Sequence, residues 1–351
     1  MNWIKPGQEG LFLSWFFFAL GGLAALVFSL HSGLPWLPFL ISLPLIGMAH
    51  GAGDWIILKP VSPAQKMGYF LAYSAIAFGI LALAWFFPTL ALCGFLLLTI
   101  LHFGSADERD LQRFAPDGRR TGGGIWRIGL FFSLTLALHP TAIATLGQEA
   151  LAFLRPASGV TFAVGEIQGL GQAGGLVFAC LWAIALFLSM VRQTTQRALV
   201  ELGEGLLLLL VVIALHPLFS VGLYFLTWHA FRHTVELAKR EIPSPNSKLP
   251  LWQSLFRVHR ASLPFLLPVI FCVALVVAWR GSLANPFDWT AVLLLSFLVL
   301  TLPHHFLVER WWKTQARLAP ASAPEARQAL AARPALARDP KHSPLSIPAE
   351  S

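Results

Sequence analysis

Charge is the scarcest commodity in this 351-residue chain. Asp, Glu, Lys and Arg make up 12% of it, against 56% hydrophobic residues. A soluble globular chain carries about 25% charged residues. Too few polar side chains are present to cover a water-soluble particle of this size, and the bilayer is the natural solvent. Cysteine is nearly absent as well. Cys93, Cys180 and Cys272 each lie in an apolar run, none in a CxxC pair. An odd, buried set argues against a disulfide framework and against thiolate ligation of a metal. Lysine is missing from the interior of every expected span. All seven lysines fall in loops, tails or at span ends, Lys59 and Lys239 being the nearest to a span, which excludes a retinal Schiff base of the rhodopsin kind.

What is abundant is long apolar sequence. Runs of roughly 17–25 apolar residues mark membrane spans. We read an all-α, polytopic bundle of about ten spans: 11–30, 36–58, 68–87, 89–106, 126–146, 173–191, 198–216, 218–239, 262–280 and 287–309. A short interfacial helix fits within 146–172. The first span lacks a small-residue cleavage site and reads as a retained helix rather than a signal peptide. Residues 1–313 read as one transmembrane domain. From 314 to 351 the chain is rich in Ala, Pro and Arg, a composition that buries no core and implies a disordered tail.

The basic residues orient the bundle. With the N-terminus inside, 22 of the 25 Lys and Arg fall on inner segments. Arg109, Arg113, Arg119, Arg120 and Arg127 are among them, with Arg192 and Arg197. Only Arg155 and Arg280 fall outside, and Arg232 lies within a span. This follows the positive-inside rule and places both termini in the cytoplasm, with the bundle in the cell's inner membrane. The net charge of +8 therefore reads as topology and contact with anionic lipid. No basic face on a soluble domain speaks for nucleic acid.

Ionisable groups at membrane depth are costly and are functional candidates by default. Here they are mostly histidines. His50, His102, His229, His233, His304 and His305 lie in four spans that all run from outside to inside, each in the inner half of its span. Six imidazoles separated by up to 255 positions thus share one depth. His229 and His233 are i, i+4 on a helix and project from one face. His50 and His102 complete four nitrogens for a metal. Imidazole suits zinc, copper, iron and nickel alike. His304 and His305 are better suited to substrate contact or a supporting place. His31, His139, His216, His259 and His342 sit in loops or near interfaces and read as ordinary hydrogen-bonded residues.

Carboxylates beside these histidines are candidates to orient them through the second ring nitrogen. Asp54 is i+4 from His50 and has the better geometry for its own histidine. Asp107 is i+5 from His102; ending the helix or pairing with Arg109 are its other readings. Gly51, Gly53 and Gly104 adjoin the same histidines, either for close helix packing or to leave room for a substrate. Tyr224, Phe225 and Trp228 precede the His229/His233 pair and are the aromatic candidates for substrate contact.

At these residues the sequence resembles the Brp/Blh family, the bacterial and archaeal integral-membrane β-carotene 15,15′-dioxygenases. The resemblance rests on His50-Gly-x-x-Asp54, His102-Phe-Gly-x-x-Asp107, Trp228-His229-x-x-Arg232-His233 and Pro303-His304. It implies cleavage of the central double bond of β-carotene by O2, giving two molecules of retinal. It also implies Fe(II) held by His50, His102, His229 and His233. The competing classes are a di-iron hydroxylase, which needs about eight histidines in repeated boxes, and a non-enzyme. The latter would be a His-rich metal or haem carrier, or a proton-coupled transporter.

Overall fold

The computed structural model describes residues 9–47, 50–51, 53–54, 62–115, 120–154, 161–240, 250–279 and 286–318. Helix is the regular structure throughout, and no strand occurs among these residues. In chain order the helices are α1 (Glu9–Val27), α2 (Leu30–Gly33), α3 (Leu37–Ser42), α4 (Pro63–Phe86), α5 (Pro88–Leu111), α6 (Gly123–Leu138) and α7 (Pro140–Leu154). They continue with α8 (Val164–Arg192), α9 (Thr195–Ala214), α10 (Pro217–Tyr224), α11 (Phe231–Arg240), α12 (Leu251–Trp279) and α13 (Pro286–Leu318). The chain forms two compact units, Met1–Leu307 and Val308–Ser351. Of the second unit the described part is the closing stretch of α13, where the Trp311 and Trp312 rings lie 4.8 Å apart.

Local chemistry explains the helix boundaries. Pro63, Pro88, Pro140, Pro217 and Pro286 each open a helix, where the missing N–H costs nothing and the fixed φ is already helical. Ser62 and Gln65 form a reciprocal capping box on α4. The Thr194 hydroxyl caps α9 by accepting from the Arg197 N–H at 3.1 Å.

Among the described residues, α1, α4, α5 (carried on to Phe114 by a 3₁₀ turn) and α8 are long and apolar enough to cross a membrane. The pair α6–α7 would make a fifth span, but it is bent by 95°. The straight span expected over 126–146 is therefore broken. Pro140 has no N–H to continue the ladder, and His139 leaves the helical region before it. Helix α8 begins at Val164, so the helix expected within 146–172 lies earlier, as α7. The expected second span, 36–58, is represented by α3, a π-helical turn Leu43–Gly47 and the short turn carrying His50. Residues 48, 49, 52 and 55–58 of that span lie outside the described residues. The expected span 218–239 is interrupted by a second π-helical stretch, Phe225–Ala230, between α10 and α11. The last helix runs to Leu318, past the boundary expected at 313; the remainder of the expected tail, 319–351, lies outside the described residues.

Helix α9 shows why lipid is the outer medium. Arg197, Glu201, Glu204, Leu208 and Val212 are buried, whereas Leu199, Leu206, Leu210 and Ile213 are exposed. Charge inside and leucine outside inverts the water-soluble pattern and suits a hydrocarbon solvent. Cys93 and Cys180 are free thiols and exposed on this exterior, not buried as their apolar surroundings imply.

The core surrounds α10 and the π-helical stretch after it. Phe18, Phe103, Phe131, Leu208, Tyr224, Phe225 and Trp228 are buried together, and the Phe18 and Trp228 rings meet edge-on at 5.1 Å. Helices α5 and α6 approach until backbones touch. A Cβ on Gly104 would lie 2.5 Å from the Ile125 Cα, so Gly104 serves close packing. Gly51 is different: among the described residues a Cβ there meets nothing within 4 Å.

Candidate metal centre

Four segments deliver histidines to one buried point. The turn after Leu43–Gly47 supplies His50, α5 supplies His102, the π-helical stretch supplies His229, and α13 supplies His304 beside Pro303. All four are buried. Ligand-capable nitrogens of His50, His102 and His229 lie within 4.8 Å of one another. Ring centroids trace a closed circuit: His50 to His229 5.5 Å, His229 to His102 4.9 Å, His102 to His304 5.0 Å and His304 to His50 5.0 Å. His233, one turn further along α11, stands outside that circuit at 5.7 Å from His50 and 5.9 Å from His304. His305 reaches the His102 ring at 5.2 Å, with its Nδ1 3.1 Å from that of His102.

The hydrogen bonds set the tautomers. His50 Nδ1 bonds the Gly47 carbonyl. A carbonyl only accepts, so Nδ1 carries the proton and Nε2 keeps its lone pair. His304 Nδ1 lies 2.8 and 2.9 Å from the two oxygens of Asp54, which fixes the same tautomer. The His102 Nε2, both His229 nitrogens and the His304 Nε2 are buried with no hydrogen-bond partner among the described residues. Each such group forfeits about 1–3 kcal/mol relative to water unless something satisfies it. Orphaned imidazole nitrogens from three segments, converging with His50 in an apolar setting, fit a metal ion with nitrogen ligands. The surroundings are aromatic: Phe103 lies 4.1 Å from the His229 ring, and Phe225 lies 5.4 Å from His50.

Both expected carboxylate partnerships differ from the sequence reading. Asp54 serves His304 rather than His50, because His50 is already tied to Gly47 one turn back. Asp107 does not approach His102. Its carboxylate takes Arg127 at 2.7 Å, the Tyr224 hydroxyl at 3.2 Å and the Trp228 indole N–H at 3.3 Å. Tyr224 and Trp228 are thus fully buried and turn their polar tips toward this network. Phe225 is the one of the three aromatics that faces the histidines.

That network is what sequence reasoning missed. Arg127 also pairs with Glu204 at 2.7 Å, and Glu204 with Arg232 at 2.8 Å. Arg232 stacks over the Trp228 ring at 4.0 Å. A second cluster joins Arg197 to Glu108 at 2.7 Å. Arg127 and Arg197, which the sequence places on inner segments as orienting charges, are 2% and 0% exposed. The available signal was Glu201 and Glu204 inside the apolar run of α9. Glu236 takes Arg113 at 2.7 Å, an arginine pairing of the kind its place at a helix end implies. His139 bonds the Val212 carbonyl and His31 accepts from the His216 N–H, in keeping with their ordinary reading.

An apolar cavity of about 460 Å³ opens nearby, lined by Phe39, Leu96, Phe132, Leu146, Leu218 and Leu298 among others. Phe39 lines it, and its ring lies 6.4 Å from that of Phe225, which in turn meets His50.

Comparison with known proteins agrees with this chemistry. Residues 41–313 match the family described as beta-carotene 15,15′-dioxygenase. The probable beta-carotene 15,15′-dioxygenase Blh of Halobacterium salinarum is 28% identical over 243 residues, covering 64% of this chain and 69% of that protein. No solved structure matches. The matched segment contains every candidate histidine, and the chain belongs to the β-carotene 15,15′-dioxygenase family.

Proposed function

We propose that this protein is a membrane-bound, non-haem iron oxygenase that cleaves the central double bond of β-carotene. One C40 hydrocarbon and one O2 give two C20 aldehydes, so both oxygen atoms and all carbons are accounted for. The observation that carries the reading is the buried trio His50, His102 and His229, inside the segment that matches the family. Fe(II) is held by these residues together with His233. Bound iron supplies the binding and activation of O2 that the polyene alone lacks.

The chain's own part is placement and exclusion of water. Phe103 and Phe225 pack on the histidine rings and give the site apolar walls of the kind that exclude water. The apolar cavity that Phe39 lines is of a size common to small-molecule sites and suits a hydrocarbon. Asp107, through Tyr224 and Trp228, fixes the helical stretch from which His229 projects. We place the catalytic unit at 1–313, as ten crossings of the inner membrane with both termini cytoplasmic; the distribution of Lys and Arg supports this topology.

Expression in a bacterium engineered to accumulate β-carotene tests the reading. Loss of orange pigment with appearance of retinal is the expected result. Intact β-carotene in cells holding folded, iron-loaded protein would refute it.

A further inference from the structure

We propose that His304, held by Asp54, is itself a ligand of the metal centre. The inference rests on the reading of the histidine cluster as an iron site and deepens it.

Three observations converge. His304 closes the imidazole circuit: its ring is 5.0 Å from both His50 and His102, nearer to each than His233 is to His50 or to His304. Its Nδ1 donates to Asp54, with both carboxylate oxygens within 2.9 Å. Its Nε2 is buried and has no hydrogen-bond partner among the described residues. A metal-bound histidine characteristically gives its other N–H to a carboxylate, which fixes the ring and strengthens it as a donor. His50, by contrast, gives its Nδ1 proton to a backbone carbonyl, that of Gly47.

A purely structural role accounts for less of this. A tie between α13 and the His50 turn requires only the Nδ1–Asp54 bond. It would leave Nε2 buried and unsatisfied, a cost that a coordinated cation removes. Asp54 also gains a role in the inferred arrangement. It places one negative charge beside a dication in an apolar interior, where an uncompensated ion of either sign is expensive.

The test uses the full chain, purified in detergent and stripped of metal. His304→Gln keeps a donor for Asp54 but removes the imidazole, and Asp54→Asn removes the charge. Fe(II) binding is titrated anaerobically, the visible bands of the Co(II)-loaded protein are recorded, and melting of the metal-free protein is followed. We expect His304→Gln to weaken Fe(II) binding on the order of 100-fold and Asp54→Asn by about tenfold. Both should shift the Co(II) bands, while the metal-free protein melts as the parent does. Parental iron affinity and unchanged Co(II) bands in His304→Gln would overturn the inference and leave the iron site standing. If His304→Gln does not fold, unaltered affinity in Asp54→Asn overturns it equally. Failure of the folded parent to bind Fe(II) at all would remove both the inference and the iron reading beneath it.

Discussion

Arg127 places a guanidinium nitrogen 2.7 Å from Asp107, and the two side chains are 1% and 2% exposed. Twenty positions separate them in sequence, and they lie on adjacent helices, α6 and α5. The same arginine reaches Glu204 at 2.7 Å, so three helices meet at one cation. Removing one partner of a buried pair strands the other charge, at a cost of about 3–5 kcal/mol. We predict that Arg127→Met lowers stability by about that amount, read as the thermal midpoint in detergent. A midpoint within the scatter of the parent would show that the network holds nothing together.

The contrast between two glycines gives a second prediction. Gly104→Ala drives a methyl into the backbone of α6 and should destabilise the fold by roughly 1–3 kcal/mol, the usual cost of overpacking. Gly51→Ala meets nothing among the described residues and should leave stability unchanged. Equal melting temperatures for the two variants would contradict the packing described for Gly104.

His50→Ala, His102→Ala and His229→Ala should each reduce iron content and retinal production by more than about 100-fold. Metal analysis of the purified proteins, set beside pigment chromatography, checks this. His233→Ala should do the same if it joins the ligand set as proposed. Parental iron content in any one variant removes that residue from the site.

Topology is open to direct measurement. Fusing a reporter active only in the cytoplasm after Leu318 should give signal, and a periplasmic reporter at the same place should give none. The reverse outcome would invert the ten-span arrangement and place the histidines in the outer half of the bilayer.

A larger residue in the apolar cavity should impair the reaction without touching the metal. Leu218→Trp is predicted to lower retinal production several-fold while iron content stays parental. Leu218 is 4% exposed and lines the cavity beside Phe39. Undiminished retinal production would separate the cavity from the substrate path.

By itself the sequence determined the medium, the helical class and the candidate histidines. Those properties follow from counts and periods: too little charge for water, apolar runs of span length, and histidines at one depth. Transfer from water to lipid acts on each segment separately, so it survives without knowledge of the packing. The tertiary structure decided who meets whom. Asp54 is four residues from His50, yet it bonds His304, 250 positions away, because His50 had a nearer acceptor in Gly47. Asp107 turned to Arg127 for a similar reason: a fixed cation on the neighbouring helix outcompetes an imidazole on its own. The break at Pro140 and the π-helical stretch before Phe231 also emerged only in three dimensions. Helical spacing specifies which side chains share a face. Which face another helix presents to it depends on packing across the whole bundle.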